Sequence, residues 1–317
     1  MVKIVARLGA MLLIGASLLV ALGRAEAKDL TVAWVHGDAA APAEKRVRDG
    51  LGAYLKDHDL HWTLRESNAG GSTKKVAADF AAAVALGPDA ILVSMADLGA
   101  ARDAIDAATA RHIPAFAVDS GWMPGILVNV TTNNWQMSAE VSAYLVDLMG
   151  DRGGIIMFTQ DGTRNVRERV DTMSAVLKET PEVQVLSTHD IDDRNVYTDT
   201  ERAMQDYATR FGNKITAVWT PSDKSAAAVV AALKATGLRA YVTGMDGEPQ
   251  ALRAICAPGG MLVATARQEF ETFGALSAEW IEAVADQNAD PRKLIPTRTV
   301  YLPARIFTRA DCAVAKP

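Results

Sequence analysis

From Asp29 onward the chain alternates short apolar runs with longer stretches whose apolar residues recur at a helical period. The runs are Leu30–Val35, Trp62–Glu66, Ala90–Ser94, Pro114–Val118, Ile126–Val130, Gly154–Thr159, Val183–Thr188, Ile215–Thr220, Ala240–Met245, Leu262–Ala266 and Thr297–Leu302. Most are short, nearly continuous in apolar side chains and bounded by turn residues, which predicts strands covered on both faces. Between them, Ala43–Lys56, Lys74–Leu86, Leu98–Arg111, Trp135–Met149, Val166–Lys178, Thr198–Arg210, Lys224–Ala235 and Phe270–Asp286 carry the helical period. Regular strand–helix alternation of this kind predicts an α/β fold of parallel sheets packed between helices.

About eleven strands exceed one small sheet, and the alternation has a seam. Ile126–Val130 follows Pro114–Val118 with no helix between, and strand–helix alternation resumes at Trp135. The break predicts two doubly wound lobes. Residues 28–131 plus about 269–295 are assigned to the first, and 132–268 plus about 296–317 to the second. No Pro- or Ser-rich linker separates them, so a hinge of crossing segments is expected in place of a flexible tether.

The first residues have a different character. Lys3 and Arg7 precede an apolar stretch from Leu8 to Leu22, and Ala25-Glu26-Ala27 supplies a small-x-small motif. This predicts a signal peptide over 1–27, cleaved after Ala27. The stretch is shorter than the roughly 20 residues that span a bilayer, and no Cys follows it to carry a lipid. A free periplasmic protein is therefore expected. Losing that segment takes the formal charge from −5 to about −7, which argues against nucleic acid as a partner. The chain has two cysteines, Cys256 and Cys312, and in an oxidising compartment a disulfide between them is expected.

Ligands of open parallel sheets bind beyond the carboxyl ends of the strands, and nearly every such end here is polar. His36-Gly37-Asp38 follows the first strand and Asp119-Ser120-Gly121-Trp122 the fourth. Later come Gln160-Asp161-Gly162, the helix bearing Arg164, Arg167 and Arg169, then Asp190-Ile191-Asp192-Asp193. Pro221-Ser222-Asp223, Gly244-Met245-Asp246-Gly247 and Arg267-Gln268 complete the series. One such residue alone is ordinarily a helix cap or a turn carboxylate. Taken together they predict a polar cleft that hydrogen-bonds a small polar ligand.

The order of Asp119, Arg167-Glu168-Arg169, Gly244-Met245-Asp246-Gly247 and Ala264-Thr265-Ala266-Arg267-Gln268 resembles the ribose-type sugar-binding proteins of ABC importers. The resemblance runs from Leu30 to about Leu302. It implies the type I periplasmic-binding fold, two Rossmann-like lobes joined by a three-strand hinge, and it implies an importer permease as membrane partner. It also implies sugar-contacting roles for Asp119, Arg169, Asp246 and Gln268, and hinge support from Asn133-Asn134. The sequence departs from that pattern in three places. The family's Asn-Pro-aromatic-aromatic segment reads Ala41-Pro42-Ala43-Glu44, a family aromatic falls at about Asp192, and a family Asn is Ser222. Glu44, Asp38 and Asp192 are therefore expected to add carboxylates to the site, with Trp122 or Tyr197 as replacement stacking partners. Three or more carboxylates against one arginine disfavour an anionic ligand and leave a polyol, an unusual sugar or a cationic small molecule open.

Other chemistry finds no pattern. Gly70-Gly71-Ser72-Thr73-Lys74-Lys75 does not match a phosphate-binding loop. His36, His58, His61, His112 and His189 are scattered without metal-ligand spacing. No nucleophile elbow is present, and neither a cofactor nor a catalytic residue is expected. A DNA-binding regulator of the same fold would need a helix-turn-helix where only Lys28-Asp29 precedes the first strand. The expectation is a monomeric solute-binding protein for a sugar or polyol-like ligand. A sensor subunit reporting occupancy to a membrane receptor is the alternative, and a hydrolase or isomerase on the same scaffold is a second.

Overall fold

The computed structural model describes residues 28–162, 164–295 and 297–313; the signal peptide expected over 1–27 lies outside them. The chain enters the first lobe through β1 (Thr31–His36), α1 (Pro42–Asp57), β2 (Thr63–Asn68) and α2 (Thr73–Leu86). It continues there through β3 (Ala90–Ser94), α3 (Arg102–Ala110), β4 (Ala115–Val118) and β5 (Ile126–Thr132). It crosses to the second lobe for α4 (Asn134–Met149), β6 (Gly153–Thr159), α5 (Arg164–Glu179), β7 (Val183–Asp190) and α6 (Val196–Phe211). β8 (Ile215–Trp219), α7 (Asp223–Thr236), β9 (Tyr241–Asp246), α8 (Pro249–Cys256) and β10 (Leu262–Arg267) follow. α9 (Phe270–Ile281) and α10 (Pro291–Leu294) return to the first lobe ahead of two short strands, β11 (Thr299–Leu302) and β12 (Arg305–Thr308).

Each lobe holds a six-stranded sheet, in the orders β11-β5-β4-β3-β1-β2 and β12-β10-β9-β8-β6-β7. All pairings are parallel except β10 with β12. Side chains alternate faces along a strand, and the two faces pack against different helices. In the first sheet Val32, Trp34, Leu92 and Phe116 pack with Phe270, Phe273 and Ile281 of α9. On the other face Ala33, Val35, Ile91 and Val93 meet Phe80 of α2 and Ile105 of α3. In the second sheet Ile156, Phe158 and Val218 face α6 and α7, while Ile155, Met157 and Trp219 face α4 and α5. Near-continuous apolar runs thus reflect burial on both sides.

α1 and α9 cross at two glycines. A Cβ on Gly50 would sit 1.8 Å from the Glu271 carbonyl oxygen, and one on Gly274 would sit 1.9 Å from that of Val47. Only glycine permits backbones this close. Side-chain oxygens cap three helices whose N-termini open toward the strand ends: Ser72 for α2, Asn133 for α4 and Ser222 for α7.

The chain passes between the lobes at Thr132–Asn134, at Gln268–Glu269 and at Pro303–Ala304. The last passage corrects the expected boundary near 296. β11 pairs β5 in register Thr299↔Asn129, so it completes the first sheet, and only β12 belongs to the second. β12 and α8 escape the apolar pattern because they are short and open on Arg305 and Pro249. Cys256 at the end of α8 and Cys312 beyond β12 form a disulfide. Among the described residues no helix is long and apolar enough to cross a membrane.

Candidate functional site

The carboxyl ends of both sheets open into one interlobe cleft of about 710 Å³. Its floor is built from both lobes. Asp119 follows β4 in a left-handed backbone conformation, φ 49°, and its side chain lines the cleft. Oδ1 accepts from the Thr131 hydroxyl on β5 and from Nδ2 of Asn165 on α5, the latter at 2.7 Å. The Asn165 bond crosses from one lobe to the other. Burial pushes the Asp119 carboxyl up, against the Thr131 bond and the charge of Arg169.

Arg169, one helical turn beyond Asn165, is buried. Its Nε donates to Asn134 Oδ1 at 2.8 Å and its Nη1 to the Pro221 carbonyl at 2.7 Å. Asn134 in turn donates to the Thr132 carbonyl, which fixes the guanidinium to the first hinge passage. Arg169 Nη1 also lies 3.5 Å from Asp246 Oδ1, which accepts from Gln268 Nε2 at 2.8 Å. Gln268 is fully buried, and its Oε1 has no partner among the described residues. A buried acceptor left without a donor is costly, and one lining a cleft is offered to a ligand donor.

The glycines beside Asp246 have steric causes. A Cβ on Gly244 would lie 2.3 Å from Asp223 Oδ1, and one on Gly247, at φ 68°, would lie 2.5 Å from Arg267 Cα. Asp223 sits beneath Asp246, bonded to Thr265 Oγ1 and the Glu248 amide, each at 2.7 Å. Burial raises the Asp246 carboxyl to about 6, against the opposing charge of Arg169. Burial and then the Asp246 charge push Asp223 well up. The floor therefore places partly desolvated acceptors beside a guanidinium whose main bonds are internal, an arrangement suited to ligand hydroxyl donors.

Of the residues singled out in the sequence, Asp119, Arg169, Asp246, Gln268, Asp38, Ser222 and Trp122 line this cleft. Trp122 donates Nε1–H to the Ile126 carbonyl at 2.7 Å, and Arg298 covers its ring at 4.4 Å. Glu44 and Asp192 are placed elsewhere. Glu44 is buried behind the wall, where Ser94 Oγ lies 2.8 Å from its carboxylate and His36 Nδ1 lies 3.2 Å away. Trp34 Nε1 donates to Ser94, and His36 Nε2 meets Glu66 at 3.0 Å, so the network is satisfied internally. Asp192 closes the turn into α6 through the Arg194 amide and Asn195 Nδ2, each at 3.1 Å. Tyr197 is exposed and is not part of the lining.

Asn165 and Asn134 were not singled out as ligand-site residues. Asn165 shares a helix face with Arg169 at i, i+4 spacing, a signal present in the sequence. The expected excess of carboxylate over one arginine does not hold. Arg164, Arg167, Arg194 and Lys224 also line the cleft, opposite Asp38, Asp97, Asp119, Asp193 and Asp246. The rim arginines are largely engaged, Arg164 with Glu168, Arg167 with the Asp161 carbonyl and Arg194 with Asp192. No group of metal-ligating side chains occurs among the described residues.

A family model described as a periplasmic binding protein domain matches residues 32–289. The chain is 24% identical over 245 residues to the ribose import binding protein of Bacillus subtilis, covering 76% of each. It superposes on an ABC transporter solute binding protein from Agrobacterium vitis with bound allitol at a TM-score of 0.81 and 20% identity, covering 91% of this chain and 98% of that one. A solute binding protein from Bacillus halodurans with bound myo-inositol gives 0.76 and 18%, covering 92% and 98%. At these identities the solved structures speak for the fold.

Proposed function

This chain belongs to the periplasmic binding protein domain family, and from that premise we propose that it captures a small sugar or polyol for an ABC importer. It is a solute-binding protein and not an enzyme. The observation that carries the ligand reading is the convergence of Asp119, Arg169, Asp246 and Gln268 from both lobes on one floor. Among the described residues Gln268 Oε1 has no donor. Vicinal hydroxyls supply donors to the carboxylates and acceptors to the arginine. Proteins bearing ribose, allitol and myo-inositol in their names or structures are its relatives or share its fold.

Closure of the lobes about the three crossing segments excludes water and strengthens each bond. The ligand favours the closed form by as much as it binds that form more tightly. Several charge-assisted bonds with water excluded support a dissociation constant near micromolar, about −8 kcal/mol. Calorimetric titration with D-ribose, allitol, myo-inositol and related polyols tests this. At least one is expected to bind, with Asp246→Ala and Arg169→Ala each abolishing the heat. Normal binding by both variants would remove the floor from the site.

The reading carries an exported, monomeric protein. Amino-terminal sequencing of the periplasmic fraction is expected to begin at Lys28, and size-exclusion chromatography to give one copy. A start at Met1, or a stable dimer, overturns the corresponding statement.

A further inference from the structure

The cleft floor is gripped from outside by a residue that does not line it. Arg46 lies on α1, in the first lobe, and is nearly buried. Nη1 donates to the Asp246 carbonyl at 2.9 Å and Nη2 to the Gln268 carbonyl at 2.7 Å. The Asp246 carbonyl closes β9 of the second lobe, and the Gln268 carbonyl opens the crossing segment that follows β10. They adjoin in parallel register, Arg267 opposite Asp246, and the Gln268 amide also reaches the Asp246 carbonyl. The guanidinium itself is fixed within the first lobe. Nε and Nη2 pair with the Glu271 carboxylate at 2.8 and 2.7 Å, and the group lies 5.0 Å above the Phe270 ring. Glu271 stands on α9, where the backbone meets Gly50 of α1.

We propose that Arg46 is an interlobe clasp and a positioning residue for the ligand acceptors. One planar guanidinium holds the main chains of Asp246 and Gln268 against α1. It thereby sets both the angle between the lobes and the direction of the two side chains beyond those carbonyls. The inference rests on the reading of the cleft as the ligand site for its effect on affinity, but not for its effect on lobe angle.

Two features support this. Asp246 has φ 121°, a conformation that side-chain-bearing residues rarely hold, and such backbones persist where their surroundings over-determine them. A charge-assisted bond to its carbonyl supplies that constraint. The fork also matches the geometry in a way a lysine cannot, because two carbonyls and a carboxylate must be met in one plane.

The test uses the full mature chain. Both natural cysteines are tied in the disulfide, so spin labels can be placed through Leu86→Cys and Val185→Cys, exposed positions of the first and second lobes. Pulsed electron resonance then measures the interlobe distance without ligand. Arg46→Ala is expected to lengthen and broaden the distribution, and Arg46→Lys to restore it in part. In calorimetry with D-ribose, allitol and myo-inositol, Arg46→Ala is expected to weaken the best binder about tenfold or more. A lower melting temperature with an unchanged distance distribution overturns the proposal, since it marks a helix-packing role alone. If Arg46→Ala does not fold, Glu271→Gln loosens the same guanidinium. An unaltered distribution there overturns the proposal equally. Failure of every sugar to bind the wild type faults the ligand reading, while the distances still decide the clasp.

Discussion

Asn165 of the second lobe donates its side-chain amide to Asp119 of the first at 2.7 Å, across the mouth of the cleft floor. The bond engages Asp119 Oδ1 in lobe alignment, and in the proposed reading the second oxygen is the one that meets a ligand. Asn165→Ala is expected to weaken sugar binding about tenfold, the loss of one hydrogen bond to a charged acceptor. Asp119→Ala removes the acceptor itself and is expected to weaken it by about a hundredfold or more. Titration calorimetry on the pair checks both, and equal affinities for wild type and Asn165→Ala would make the contact idle.

Acid should stabilise the empty protein. Burial holds Asp246 at about 6, against about 3.9 in an unfolded chain. Between those values the folded state keeps a proton that the unfolded chain has released. The contribution of Asp246 is therefore full below about pH 4 and lost as pH rises through about 6, by about 3 kcal/mol for the whole shift. Asp119 and Asp223 are raised in the same direction. The ligand-free melting temperature should fall from pH 5 to pH 7, and Asp246→Asn should flatten the fall. Hydroxyl donors favour the ionised carboxylate, so affinity should rise over the same interval. A melting temperature that climbs with pH there would contradict the assignment.

Glu44 separates a wall-supporting role from a ligand-contacting one. Its carboxylate is bonded to Ser94 and His36 behind the cleft. Glu44→Ala leaves buried partners unpaired and is expected to destabilise the fold by about 2–3 kcal/mol. Sugar affinity should change less than about threefold. Chemical denaturation and calorimetry on the same preparation distinguish the two. A large affinity loss at unchanged stability would return Glu44 to the site.

The Gly50 contact allows no side chain. Gly50→Ala drives a Cβ into the Glu271 carbonyl and is expected to cost about 3 kcal/mol or more. The disulfide spans 56 residues, and its removal through Cys256→Ser with Cys312→Ser is expected to cost about 4 kcal/mol by loop closure. Thermal melts read both. The disulfide variant should keep its sugar affinity, because α8 and the residues beyond β12 stand apart from the floor.

The strands of both lobes were legible because burial on two faces writes them as nearly unbroken apolar runs. Asp119, Asp246 and Gln268 stood out in the sequence as polar residues at strand ends, and Arg169 as part of an arginine-bearing helix. Glu44 and Asp192 were misplaced for a shared reason. A carboxylate near a strand end carries no mark of which way it turns, and local donors claimed both. Arg46 was invisible for the opposite reason, since it lies mid-helix and reaches the site only through main-chain carbonyls. β12 was too short and too charged to stand out, and β11 went to the wrong lobe because pairing partners are not written in an apolar run.

The threading of the chain ties the completion of one lobe to the other. The first sheet closes on β11 and the second on β12, consecutive strands separated only by Pro303–Ala304. Each lobe thus takes an edge strand from one short segment, and a break in that segment would bare an edge in both sheets at once.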